Sequence, residues 1–120
     1  MKIVITSSGD SLESPVDPRF GRAAYFIQYD LETGDLAAHD NVQNFNAAQG
    51  AGIQAAQTVA QLGAEWLLTG HCGPKAFQVL NAAGIQIAVG VEGTVAEAIE
   101  NFKQGKYQST DSADVDGHWM

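Results

Sequence analysis

From Ile53 onward the chain alternates helical and extended hydrophobic periodicity, and that alternation limits the fold more than any other feature of the sequence. Ile53, Ala56, Val59, Ala60 and Leu62 recur at helical spacing and stop at Gly63, where a residue with positive φ belongs. Trp66-Leu67-Leu68-Thr69 then reads as a short buried strand. Pro74 suits a first helical position, Phe77 and Leu80 share a face, and Gly84 closes this second helix. Ile85 to Val89 repeats the strand pattern. Thr94-Val95-Ala96-Glu97 is a capping box that opens a third helix, with Val95, Ile99 and Phe102 on its apolar stripe. Strands joined through helices run parallel, because each crossover returns the chain to the same edge of the sheet.

The N-terminal third is organised differently. Lys2 to Thr6 is a β-branched run that reads as a central strand, followed by a long loop containing Pro15, Pro18 and Gly21. Tyr25 to Tyr29 forms a second strand, and Gly34 supplies the positive φ of a hairpin turn, so the stretch from Leu36 to about Val42 pairs antiparallel as a third. The order β-β-β-α-β-α-β-α predicts an α/β domain with a five-stranded mixed sheet in the order 3-2-1-4-5, strand two antiparallel, and three helices. That is the three-layer arrangement of ribonuclease H-like folds. Residues 1–106 are read as a single domain; beyond Lys106 the apolar pattern lapses, and residues 107–120 are expected to form an acidic tail that is mobile or only loosely docked.

This topology gathers the loops at Ser7 to Ala23, Asn44 to Gly52, Gly70 to Pro74 and Gly90 to Thr94 at one edge, together with the N-termini of all three helices. Ligands bind at that edge in open α/β sheets, and each helix start brings roughly half a positive charge. The charge distribution gives the edge further weight. The chain has 6 Lys+Arg against 14 Asp+Glu, a net charge of −8, yet Arg19, Arg22 and Lys75 all fall in or beside these loops. With Gly50, Gly52, Gly70, Gly73, Gly90 and Gly93 they predict a cationic cleft for an anionic ligand on an acidic body. Glycines end strands in any sheet, however, and three cations can fall together by chance; composition alone does not separate these readings.

Several function classes are disfavoured at once. An acidic domain repels phosphate backbones, so nucleic-acid binding is not expected. A two-metal nuclease needs converging carboxylates, but strand one and helix one contain none, Glu65 precedes strand four, and Asp10 and Asp17 stand beside Gly and Pro as turn residues. With 45% hydrophobic residues the chain can build one core without staples. Its single cysteine allows no internal disulfide and indicates a reducing compartment, so a cytoplasmic location is expected. The N-terminal run turns polar at Ser7, and no apolar stretch approaches the ~18 residues of a membrane span, so neither secretion nor a membrane partner is expected.

The most unusual segment is Thr69-Gly70-His71-Cys72-Gly73-Pro74-Lys75. A thiol at a helix start beside His71 would have its thiolate stabilised, making Cys72 a nucleophile or, with His71, a soft-metal ligand. The other reading is a buried small residue whose histidine neighbour fills a turn. His39 is read as a solvated edge-strand residue, His118 as part of the tail, Trp66, Phe26 and Phe77 as core, and the Ser7 and Ser8 hydroxyls as backbone anchors. No set of acid, base and nucleophile assembles, so no catalytic residue is assigned.

Ser14-Pro15-Val16-Asp17-Pro18-Arg19-Phe20-Gly21-Arg22-Ala23, then Gly50-Ala51-Gly52-Ile53, Gly70-His71-Cys72-Gly73-Pro74-Lys75-Ala76 and Gly84-Ile85 appear in this order. In these motifs the chain resembles the dinitrogenase iron-molybdenum cofactor biosynthesis family, over about Lys2 to Phe102. The resemblance implies a ribonuclease H-like fold and a protein that carries or holds a metal-sulfur cofactor rather than turning over a substrate. Single-domain members similar in size imply, more narrowly, a molybdenum-copper sulfide cluster held non-covalently, with another molybdenum- or iron-sulfur cluster as the alternative. A scaffold or ATPase partner protein is a further implication. The matching positions make Arg19, Phe20, Gly21, Arg22, Gly50, Gly52, Gly70, His71, Cys72, Gly73 and Lys75 the expected cofactor-binding residues. Nitrogenase-associated members have histidine where this chain has Arg19. A guanidinium does not coordinate metal but pairs well with an anion, which favours a cluster held by charge and hydrogen bonds, with Cys72 or His71 as metal contacts. A regulatory module that uses the same edge to bind a protein, with no metal, is the alternative function.

Overall fold

The computed structural model describes residues 1–41 and 51–110. Five strands form one sheet in the order β3-β2-β1-β4-β5: β1 Lys2–Ser7, β2 Tyr25–Asp30, β3 Leu36–Asp40, β4 Trp66–Leu68 and β5 Gln86–Ala88. β2 is antiparallel to both β1 and β3, whereas β4 is parallel to β1 and to β5. The predicted topology and strand directions are therefore those observed. Gly34 sits in the hairpin turn at φ +77°, and Gly63 ends the first helix at φ +76°, both as their positions required. Strand ends are shorter than expected: Thr69, Ile85 and Val89 flank β4 and β5 instead of lying in them, and Val42 is outside the described residues.

The period-two alternation of the strands divides the apolar residues between two layers. Val4 and Phe26 point to one face, where α1 (Ala51–Gln61) contributes Ala55, Ala56 and Val59 and α2 (Pro74–Ala82) contributes Ala76 and Leu80. Ile3, Ile5 and Ile27 point to the other, where α3 (Val95–Lys103) supplies Val95, Ala98 and Ile99. Trp66 belongs to this second layer, with its ring edge-on to Phe102 at 5.2 Å between centroids. The Thr94 and Glu97 side chains bond reciprocally to each other's backbone N–H, completing the capping box.

Two details of the surface go beyond the sequence reading. His39 is half-buried, and its ring Nε2 lies 3.1 Å from Gln28 Oε1 on the neighbouring strand, because β2 offers a polar cross-strand partner in place of solvent. Residues 107–110, expected to begin the tail, pack against the domain: Tyr107 joins the α3 layer and the Thr110 N–H donates to the Ile87 carbonyl at 2.7 Å, covering the β5 edge. The rest of the expected tail, with His118, lies outside the described residues.

Candidate functional site

The carboxyl edge of the sheet is dominated by the loop that follows β1. Ser7 Oγ donates to the Gly9 carbonyl at 2.7 Å and Ser8 Oγ to the Pro15 carbonyl at 3.2 Å, so both hydroxyls anchor backbone as expected. Val16 is buried in the α3 layer and Phe20 in the α1–α2 layer, so the loop crosses over the end of the sheet between them. At the crossing the Asp17 N–H donates to the Thr6 carbonyl at 2.9 Å, tying the loop to the end of β1.

Beyond the crossing the loop meets the two other motifs. Arg19 forms a parallel bridge with His71, and the Phe20 N–H donates to the His71 carbonyl at 3.3 Å. Two glycines make this approach possible. A Cβ on Gly70 would lie 2.6 Å from both Cα and O of Pro18, and one on Gly21 would lie 2.9 Å from N and Cα of Gly52. Backbone thus packs on backbone at both points, a separation that no other residue permits without movement. Arg19-Phe20-Gly21, Gly52 and Gly70-His71, far apart in sequence, form one contiguous structure at the starts of α1 and α2.

The expected site residues fall into distinct roles. Arg19 and Lys75 are exposed, Lys75 in the first turn of α2, and among the described residues neither has a carboxylate within salt-bridge distance. Arg22 is half-buried directly after Gly21. His71 is half-buried at the junction of the loop and β4. Cys72 is fully buried in the α1–α2 layer, its Sγ 3.7 Å from the Gly73 carbonyl, which matches the small-buried-residue reading. Phe20 is likewise fully buried and acts as the anchor of the loop. Gly52 lies within α1 instead of in a flexible loop before it. Gly73 is the N-cap of α2, and Gly50 lies outside the described residues.

The third helix start does not belong to the site. The Val95 N–H donates to the Ser14 carbonyl, Ala96 N–H to the Leu12 carbonyl and Glu97 N–H to Thr94 Oγ1, so its first-turn donors are already used. Glu97 adds negative charge there, and Gly93 with φ +89° lies against its carboxylate. The cationic part of the edge is accordingly the side formed by the loop, α1 and α2. No group of three or more His, Cys, Asp or Glu able to hold a metal ion exists among the described residues.

The sequence matches the family described as dinitrogenase iron-molybdenum cofactor over residues 1–105. The chain belongs to this family. Among solved structures, the iron-molybdenum cofactor family member is similar to the apo form of the orange protein from Desulfovibrio gigas, at 43% identity and a TM-score of 0.92, covering 95% of this chain and 96% of that one. It is also similar to a putative NifB protein from Thermotoga, at 35% identity and a TM-score of 0.80, covering 95% and 98%. An uncharacterized protein of Methanocaldococcus jannaschii is 27% identical over 110 residues, 90% of each chain. The ribonuclease H-like topology expected of the family is present. No helix among the described residues is long and apolar enough to cross a membrane. Asp17 is the turn residue the sequence reading made it, its Oδ1 accepting the Arg19 N–H two residues on; what that reading did not give is its burial and its backbone ties to Thr6, which no local signal carries.

Proposed function

We propose that this chain is a binding or carrier protein for an anionic metal-sulfur cluster of the molybdenum-copper sulfide type, held without covalent attachment and without turnover. The observation that carries the reading is the joining of the Arg19-Phe20-Gly21 loop to His71 and Gly52, which sets a cationic loop across two helix starts. The donor set suits such a cargo. A thiometallate cluster spreads negative charge over soft sulfur atoms, and guanidinium, ammonium and backbone N–H groups match that charge without needing a fixed coordination geometry. The membership of a family named for a metal cofactor and the likeness to the orange protein support the same reading.

Arg19 and Lys75 supply the local field, with Arg22 beside them. This field is needed because a body of charge −8 repels an anion at long range. His71 is the remaining candidate for direct contact with the cluster, whereas Cys72 supports the start of α2 from within the core. Phe20, Gly21, Gly52, Gly70 and Gly73 shape the backbone that the cargo meets.

The test is reconstitution of the apo-protein with tetrathiomolybdate and copper(I) under anaerobic conditions, read by visible absorption and metal content after gel filtration. Each charge-assisted contact contributes ~1.5–3 kcal/mol, so the double variant Arg19→Ala, Lys75→Ala is expected to weaken binding by roughly two to four powers of ten. The control Lys103→Ala, Lys106→Ala removes the same charge at the far end of α3 and is expected to leave the complex intact. Lys103 rests on Tyr29, 5.3 Å above its ring, so that control carries a small stability cost of its own. Equal loss in both double variants, or no complex with the wild type, refutes the reading.

A further inference from the structure

We propose that Asp17 is a positioning residue whose side-chain acceptor oxygen favours anion binding, because it fixes the backbone that presents Arg19; the proposal rests on the cargo reading above. Asp17 is only 8% exposed. Its Oδ1 accepts the Arg19 N–H at 3.0 Å, bending the chain around Pro18 so that Arg19 runs alongside His71. Its backbone is equally constrained. The N–H donates to the Thr6 carbonyl at 2.9 Å, and the Asp17 carbonyl accepts from Thr6 Oγ1 at 2.8 Å.

The Thr6 hydroxyl has one proton, and giving it to Asp17 leaves its oxygen to accept from Thr69 Oγ1, 2.9 Å away at the end of β4. Thr6 and Thr69 are both fully buried, so this chain of hydrogen bonds is shielded from water. Pro18 is pressed against Gly70 on the far side. Asp17 is thereby registered to the ends of both central strands and transfers that register to Arg19. Arg19 itself has an exposed side chain, and its backbone is held from behind by the carboxylate and alongside by His71.

The proposal makes a prediction opposite in sign to plain electrostatics. Removing a negative charge beside an anion site strengthens binding by Coulomb attraction alone. Removing a positioning carboxylate weakens it. Asp17→Ala, Asp17→Asn and Asp17→Ser are titrated with tetrathiomolybdate and copper(I), with thermal melting to verify that each is folded. The expected result is binding about tenfold weaker for Asp17→Ala, comparable to the loss of one local hydrogen bond and its geometry. Asp17→Asn, which keeps the Oδ1 acceptor without the charge, is expected to bind at least as well as wild type, and Asp17→Ser to fall between.

A second readout needs no cargo. The amide proton of Arg19, bonded to a carboxylate, is expected downfield in the proton NMR spectrum with a low temperature coefficient, to lose both features in Asp17→Ala and to retain them in part in Asp17→Asn. An unchanged Arg19 amide in Asp17→Ala, or an Asp17→Ala protein that binds as tightly as wild type or more tightly, overturns the proposal. Failure of the wild type to bind the probe refutes the cargo reading instead, and the Arg19 amide then decides alone whether Asp17 holds the loop.

Discussion

Replacing Gly70 by Ala tests the central structural claim, that the first loop is clasped against the end of β4 by direct backbone packing. The added Cβ would sit 2.6 Å from Pro18 Cα and O and 3.0 Å from its carbonyl carbon, where ordinary contact begins at 3.4 Å. The neighbours are backbone atoms, not the tip of a flexible side chain, so Pro18 and the loop must retreat by several tenths of an ångström. Overpacking of this kind costs ~1–3 kcal/mol. The retreat also weakens the Phe20 N–H bond to the His71 carbonyl, adding ~1 kcal/mol. A total of ~2–4 kcal/mol lowers the melting midpoint of a domain this size by about 6–20 °C while leaving it folded at room temperature. Gly63→Ala is the matched control: its site has φ +76° and nothing within 4 Å of the new Cβ, so it pays only ~1–2 kcal/mol of backbone strain. Calorimetry measures both midpoints, and reconstitution with thiomolybdate and copper(I) measures both affinities. Gly70→Ala should lose stability and affinity together, whereas Gly63→Ala should lose only stability. A Gly70→Ala protein that melts within 2 °C of wild type, an interval below ~1 kcal/mol, would show that the clasp is absent.

Further outcomes follow from particular residues. Cys72, fully buried, should react with iodoacetamide at pH 8 far more slowly in the folded protein than in denaturant, and Cys72→Ala should retain thiomolybdate-copper binding; rapid alkylation of the native thiol would contradict its burial. Thr94→Ala removes the N-cap of α3 and should lower stability by ~1 kcal/mol, read by urea denaturation, without altering cargo affinity, because that helix start is closed by the loop. The backbone N–H of Glu32, and secondarily that of Thr33, hold the Asp30 carboxyl below its ordinary value, although partial loss of hydration pushes the other way. The folded pKa is depressed, so Asp30 stabilises the protein above the unfolded carboxylate pKa, and that contribution fades as pH falls through the lower folded one. The melting difference between wild type and Asp30→Asn should therefore be constant near neutrality and vanish in strong acid; a difference that grew on acidification would reverse the assignment. Phe20→Ala, which empties a fully buried ring site beneath the loop, should cost ~3–5 kcal/mol by denaturant unfolding.

The fold was legible in the sequence because its determinants are local. Helical spacing from Ile53 to Leu62, the capping box at Thr94 and the hairpin glycine at position 34 each act within a few residues, and a parallel crossover leaves little choice of strand order. The same reasoning placed Arg19, His71 and Lys75 at one edge, since topology alone decides which loops share it. What sequence could not decide was how the long first loop crosses that edge, because its course is set by contacts between residues far apart in the chain. The loop's carbonyls at Leu12 and Ser14 satisfy the start of α3 and remove one of three expected anion-binding ends, while Gly70 and Gly21 admit Pro18 and Gly52 to backbone contact. Likewise a cysteine at a helix start reads as reactive or inert until packing assigns it a side, and Cys72 faces the core. Asp17 reads as a turn residue and is one; that the turn is buried and tied to the end of β1 is decided by residues distant in the chain. Residue types and their periods determined the scaffold and the charge gathered at its edge; only tertiary packing, through hydrogen bonds and close approaches that reach as far along the chain as Leu12 to Ala96, decided which of those groups remain open to a ligand.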